Sequence, residues 1–170
     1  MSTVCFAHGQ ESGPWGTKIT ALADIARAAS HAVESLDYRG IADPRERAAR
    51  LIAWCQAQHE LPILVGSSMG GYVALAAASA TGARGLFLLA PALYVPGYED
   101  VPVPPPPDCR TMIIHGWQDD VLAWTGSTRY GQESGARVLL VPDDHRLVAD
   151  LPGLCRIFQL FLGELPGEKP

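Results

Sequence analysis

The residues best suited to chemistry lie between positions 61 and 74, in LPILVGSSMGGYVA. A run of β-branched and Leu residues enters a Gly/Ser cluster and leaves through small helix formers, the pattern of a strand turning directly into a helix. Ligands of open parallel sheets bind at the carboxyl ends of strands, so a polar turn here is a candidate site. Three chemistries use such a turn. A phosphate cradle requires G-x-x-x-x-G-K-[ST], and no lysine stands near the cluster. A dinucleotide turn requires G-x-G-x-x-G. Gly66, Ser68 and Gly71 match it except at the second glycine, where a side chain keeps the backbone from the pyrophosphate. This is also the third such turn in the chain, and the next strand ends in LLAP with no acid for a ribose.

The third chemistry is G-x-S-x-G, in which a serine on a strained turn lifts its hydroxyl above the sheet as a nucleophile. The residues two before and two after it come so close that they must be small. Around Ser68 these are Gly66 and Gly70, whereas around Ser67 they would be Val65 and Met69. Ser68 is therefore the candidate nucleophile.

A serine hydroxyl needs a base, an acid to orient the base, and donors for the developing oxyanion. With this turn the order along the chain is Ser, Asp/Glu, His. RTMIIHGWQDDVLAW carries Asp119 and Asp120 just past a strand, and spacing leaves both open. His145, in VPDDHRLVAD, follows the last apolar run and is the only histidine after residue 115. His31 and His59 fall at element boundaries on the wrong side of the sheet. One oxyanion donor is the N–H of Met69, at the positive end of its helix. The other is expected from the Gly-rich loop HGQESGPWG, at the N–H of Gln10, with His8 holding the loop.

These groups must be carried by regular elements. Strands are expected at 3–8, 31–38, 62–66, 84–90, 110–116 and 136–142, most of them near-continuous apolar runs of the kind buried in parallel sheets. Helices are expected at 18–29, 43–58, 69–80 and 146–163. The second begins with a cap at Asp43, Pro44 in its first turn and Glu46 three after the cap. The last carries Leu151, Leu154, Phe158 and Phe161 at helical spacing, with Pro152 expected to split its first turn. Alternation of strands and helices implies an α/β fold: a doubly wound, mostly parallel six-stranded sheet with helices on both faces. The segment 90–109 is Pro-rich and is expected as a surface loop. Trp15, Tyr94 and Val121, on loops near the turn, are candidate pocket residues, and Tyr98 shares the loop of Tyr94.

At 170 residues the chain is expected to form one domain over 1–165, with a tail at 166–170. A net charge of −5 without a basic stripe argues against a nucleic-acid partner. No signal peptide or membrane span is expected. Cys5, Cys55, Cys109 and Cys155 are scattered without pairing motifs and are expected as free thiols in a cytoplasmic protein. The histidines lack ligand spacing, so neither metal nor cofactor is expected.

The set AHGQESGPWGTK, GSSMGGYVA, HGWQDDV and DDHRL resembles the α/β-hydrolase superfamily, and within it the small lid-less bacterial serine esterases of the YqiA-like kind. The resemblance spans about His8 to Leu162. Its acid motif, H-G-x-x-D-x-x-V, maps the acid to Asp119, although here the hydrophobic residue comes early, at Val121. Its oxyanion position maps to Gln10, where an apolar residue is more usual. Many members carry a helical lid, in place of which this chain has the 90–109 loop. The resemblance implies a serine hydrolase acting on small-molecule carboxylic esters or thioesters. The alternative is a non-catalytic relative that binds a partner or small ligand, which would have no use for all three groups in order.

Overall fold

Side chains on a strand alternate between its two faces, so a segment apolar at every position must be covered on both. Such segments form the centre of the sheet in this computed structural model, which describes residues 2–166. The strands are β1 (Thr3–Ala7), β2 (Ala32–Leu36), β3 (Ile63–Ser67), β4 (Gly85–Leu89), β5 (Arg110–Gly116) and β6 (Arg137–Val141). They pair in the order β2-β1-β3-β4-β5-β6, and every pairing is parallel. The alternation is direct. Val4, Phe6, Ile63, Val65, Phe87 and Leu89 face one layer. Cys5, Ala7, Leu64, Leu86 and Leu88 face the other.

Five helices cover these faces. The first layer is packed by α1 (Thr17–Ala28) and α5 (Leu151–Gly163), through Leu22, Leu154, Phe158 and Phe161. The second is packed by α2 (Pro44–Gln56), α3 (Met69–Thr81) and α4 (Trp124–Ser134). The chain winds from β1 outward to β2, then returns so that β3 lies on the other side of β1. The loops after β1 and β3 thus leave neighbouring strands in opposite directions, opening a crevice where the winding reverses. Gln10 and Ser68 stand at its two sides.

The sheet is wholly parallel, and two helices differ from expectation. The helix α4 was not legible because WTGSTRYGQES has two glycines and buries only Ser127 and Tyr130. The last helix starts at Leu151, not 146. Asp150 caps it by accepting from Gly153 N–H, and Pro152 sits in its first turn, where no N–H is needed, so it starts the helix instead of splitting it. At α2 the Asp43 side chain accepts from Arg45 N–H at 2.8 Å. The stretch 91–109 holds no helix or strand, and no lid is inserted among the described residues. The expected tail lies outside those residues apart from Pro166. No described helix is long and apolar enough to cross a membrane.

The α4 helix presses on the Pro-rich loop, since a Cβ on Gly126 would stand 2.6 Å from the Leu93 carbonyl oxygen. Gly126→Ala should therefore destabilise the fold by about 1–3 kcal/mol in urea denaturation. Gly163→Ala, where a Cβ meets nothing within 4 Å, should be neutral or stabilise by up to about 1 kcal/mol.

Candidate active site

The turn between β3 and α3 is set by two close backbone approaches. A Cβ on Gly66 would lie 2.2 Å from the Gly70 carbonyl oxygen, and one on Gly70 would lie 1.9 Å from that of Ala7. Only hydrogen fits at either position. Between them Ser68 has φ 57° and ψ −123°, a conformation L-residues avoid at a cost of about 1–3 kcal/mol. Its backbone is held there from three sides. Ser68 N–H donates to Leu89 O, while Ser68 O accepts from Gly71 N–H and Ala92 N–H, all at 2.9 Å.

The raised Ser68 Oγ is 3.0 Å from His145 Nε2, and His145 Nδ1 is 2.7 Å from Asp119 Oδ2. Asp119 has a fully buried side chain, whereas Asp120 beside it is exposed. Both oxygens of Asp119 are saturated. Oδ1 accepts the N–H groups of Val121 and Leu122 at 2.8 Å, and Oδ2 accepts from His145 and, at 3.0 Å, from His115 Nε2. Burial alone would raise the Asp119 pKa. The hydrogen bonds from Leu122, His145 and Val121 outweigh it and leave the carboxyl below the ordinary aspartate value.

His115 lies at the end of β5 and is buried completely. Burial lowers its pKa, so the ring is neutral. Its Nδ1 accepts from Ser127 Oγ at 2.7 Å, which leaves Nε2–H to donate to Asp119 and to Leu122 O. The H-G-x-x-D-x-x-V motif contains this histidine, but its hydrogen bond to Asp119 was not recognised in the sequence.

The opposite wall is the loop after β1. His8 Nδ1–H donates to Gly9 O at 2.7 Å and its Nε2 accepts from Tyr38 N–H at 2.9 Å, tying the loop to the end of β2. Arg47 of α2, only 2% exposed, reaches beneath it. Its Nε donates to Ile41 O at 2.6 Å and its Nη1 to Gly9 O at 3.2 Å. An arginine in a helix reads as a surface residue, and nothing local marked this one. Among the described residues no hydrogen bond uses the N–H of Gln10 or Met69. Both residues line a cavity with Ser68.

Of the candidate pocket residues, Tyr94 and Val121 line that cavity of about 150 Å³, and Tyr98 joins them. Trp15 lines neither it nor the cleft on the other side of Ser68. Its ring instead lies 48% exposed, with the Arg27 guanidinium 5.6 Å from its centre. That cleft, about 650 Å³, is bordered by His145 and by Lys18, whose Nζ donates to Arg146 O at 2.9 Å. Burial pulls the Lys18 pKa down to about 8 against the opposing pull of Asp143, Asp119 and Asp144.

Two outcomes follow from this geometry. Ser68→Gly should be more stable than Ser68→Ala by about 1 kcal/mol, because only glycine relieves the positive φ; thermal melting of the pair checks it. His8 and His115 have folded-state pKa values lowered by burial. Above the unfolded value of about 6.5 both are neutral in either state, and below it the unfolded chain binds protons first. Stability should thus fall as pH drops from 6.5 towards 5, and less steeply in His115→Gln.

The model of the Alpha/beta hydrolase family matches residues 6–167. Among solved structures, one described as a hydrolase of the alpha/beta superfamily from Xanthomonas campestris is 30% identical, with a TM-score of 0.88 over 97% of this chain and 100% of that one. A second protein of that organism, an α/β serine hydrolase without a lid, is 23% identical, with a TM-score of 0.77 over 99% of this chain and 84% of that one. Est1E from Butyrivibrio proteoclasticus is 16% identical at a TM-score of 0.80, covering 96% of this chain and 88% of its own. The last two likenesses show the fold alone. No curated protein matches the chain. With the family model spanning nearly its whole length, the chain belongs to the alpha/beta hydrolase family.

Proposed function

We propose that the protein is a serine hydrolase that cleaves carboxylic esters or thioesters through an acyl-enzyme. The observation that carries this reading is the chain of hydrogen bonds from Ser68 Oγ through His145 to buried Asp119, at 3.0 and 2.7 Å, beside two unused backbone N–H groups. Ser68 Oγ attacks the acyl carbon while its proton passes to His145 Nε2. Asp119 keeps the other imidazole proton on Nδ1 and stabilises the imidazolium. The N–H groups of Met69 and Gln10 receive the carbonyl oxygen as it becomes an oxyanion. His145 then protonates the leaving alcohol or thiol. It next takes a proton from water, which attacks the acyl-serine, and returns that proton to Ser68 Oγ as the acid is released.

Every step uses side chains and backbone of this chain, and none requires a metal or cofactor. The partner is a small-molecule ester or thioester. The thiols of Cys5, Cys55, Cys109 and Cys155 are free, as suits a cytoplasmic setting.

A fluorophosphonate probe should label the wild type and not Ser68→Ala; an unlabelled wild type would favour a non-catalytic binding protein. Asp119→Asn should lower kcat on p-nitrophenyl acetate by about three to four orders of magnitude. Asp120→Asn, an exposed neighbour, should leave it unchanged. Equal losses in both variants would remove Asp119 from its role.

A further inference from the structure

Two cavities meet at Ser68, and their walls differ in chemistry. The smaller, about 150 Å³, is walled by Met69, Tyr72, Tyr94, Val101, Val103 and Leu122. The larger, the more polar of the two, is the open cleft of about 650 Å³ between the β1–α1 loop and residues 145–148, where Ser12, Thr17, Lys18, His145 and Arg146 stand beside Ile19 and Val148. They share only Gln10, Ser68 and Val121. A carbonyl carbon above Ser68 Oγ therefore has one substituent directed into each.

The proton decides which substituent goes where. When the tetrahedral adduct collapses, the bond between carbon and leaving atom breaks, and that atom takes the proton from His145 Nε2. The leaving group must accordingly stand on the His145 side. His145 borders the polar cleft and not the apolar cavity.

We propose that the apolar cavity is the acyl subsite and the polar cleft the leaving-group subsite, so that the substrates are small apolar acyl groups carried on an uncharged polar alcohol or thiol. This rests on the serine-hydrolase reading above. An apolar cavity of this volume accepts a guest the size of benzene, which sets the acyl limit at about six carbons. The outer wall is fixed in place. Tyr94 has φ 54°, its hydroxyl donates to Glu133, and the Arg129 guanidinium lies 3.9 Å from its ring centre. Arg129 is in turn bonded to Glu133 at 2.9 Å, so α4 pins Tyr94 from behind. In the cleft, Lys18 and Arg146 are cationic and Glu11 anionic. Lys18 Nζ is engaged by the Arg146 carbonyl oxygen, which leaves one cation against one anion, and the hydroxyls of Ser12 and Thr17 favour neutral hydrogen-bonding groups over a fixed charge.

The test uses matched esters and pH-stat detection on the whole chain. Glycerol monobutyrate should exceed propyl butyrate in kcat/KM at least tenfold, although both leaving groups have three carbons. Along glycerol monoesters, kcat/KM should fall at least tenfold from hexanoyl to decanoyl. Tyr94→Ala should recover decanoyl at least tenfold relative to hexanoyl without moving the glycerol-to-propyl ratio. Val103→Trp, which fills the cavity, should lose hexanoyl and keep acetyl. A Ser12→Ala, Thr17→Val double variant should lower the glycerol-to-propyl ratio and leave the acyl profile alone. A wild type that prefers propyl or decanoyl esters, or a Tyr94→Ala that alters the alcohol ratio instead of the acyl profile, overturns the assignment. Those results in an enzyme still labelled by fluorophosphonate leave the hydrolase reading intact, whereas absence of both labelling and turnover overturns the two together.

Discussion

The close approach of three backbone segments at the end of β3 is the constraint on which the site depends. Gly66, Gly70 and the Ala7 carbonyl meet at distances that exclude any side chain. That contact lets α3 begin immediately after the strand and holds Ser68 at a positive φ. The strain is sustained because all backbone polar groups of Ser68 are engaged by β4 and its following loop, and by α3. Rigid surroundings of this kind are what allow an unfavourable conformation to persist. The same geometry leaves the Met69 N–H, at the start of a helix, beside Ser68 and without a hydrogen bond among the described residues.

Around this turn the polar groups are arranged so that few are left to adjust. Asp119 is buried, and a buried carboxylate without partners is costly. Here four donors occupy its two oxygens, and two of them are backbone N–H groups of its own loop. His115 takes part in this arrangement while staying neutral, with Ser127 of α4 fixing its tautomer. Across the crevice Arg47 performs a comparable service for the loop after β1, a buried guanidinium bonded to carbonyl oxygens alone. In both walls, positioning comes from residues that lie behind the groups facing Ser68.

The 90–109 segment shows how a fold without a lid still shapes a cavity. Proline stiffens it, and α4 clamps it through Gly126 against Leu93 and through the Arg129–Glu133–Tyr94 set. The weakly amphipathic helix and the irregular loop therefore make one unit. Each is poorly marked alone, since neither buries much apolar surface until the other is present.

Sequence alone determined what depends on local spacing and on burial at every position. The central apolar strands, the G-x-S-x-G turn and the choice of Ser68 over Ser67 follow from side-chain alternation and from the need for glycine two residues either side. The chain order of serine, acid and base narrowed the partners to Asp119 or Asp120 and to His145, and the family resemblance pointed to Asp119. Tertiary structure decided the rest. Asp119 is buried among donors from its own loop and from His115 and His145, whereas Asp120 is exposed. His115, Arg47 and α4 acquire their roles, and Trp15 is left outside the cavities, through contacts with segments far along the chain. Ser68 and His145 are 77 residues apart and His145 and Asp119 are 26 apart, and it is the parallel sheet, by ending its strands at one edge, that brings them within hydrogen-bond reach.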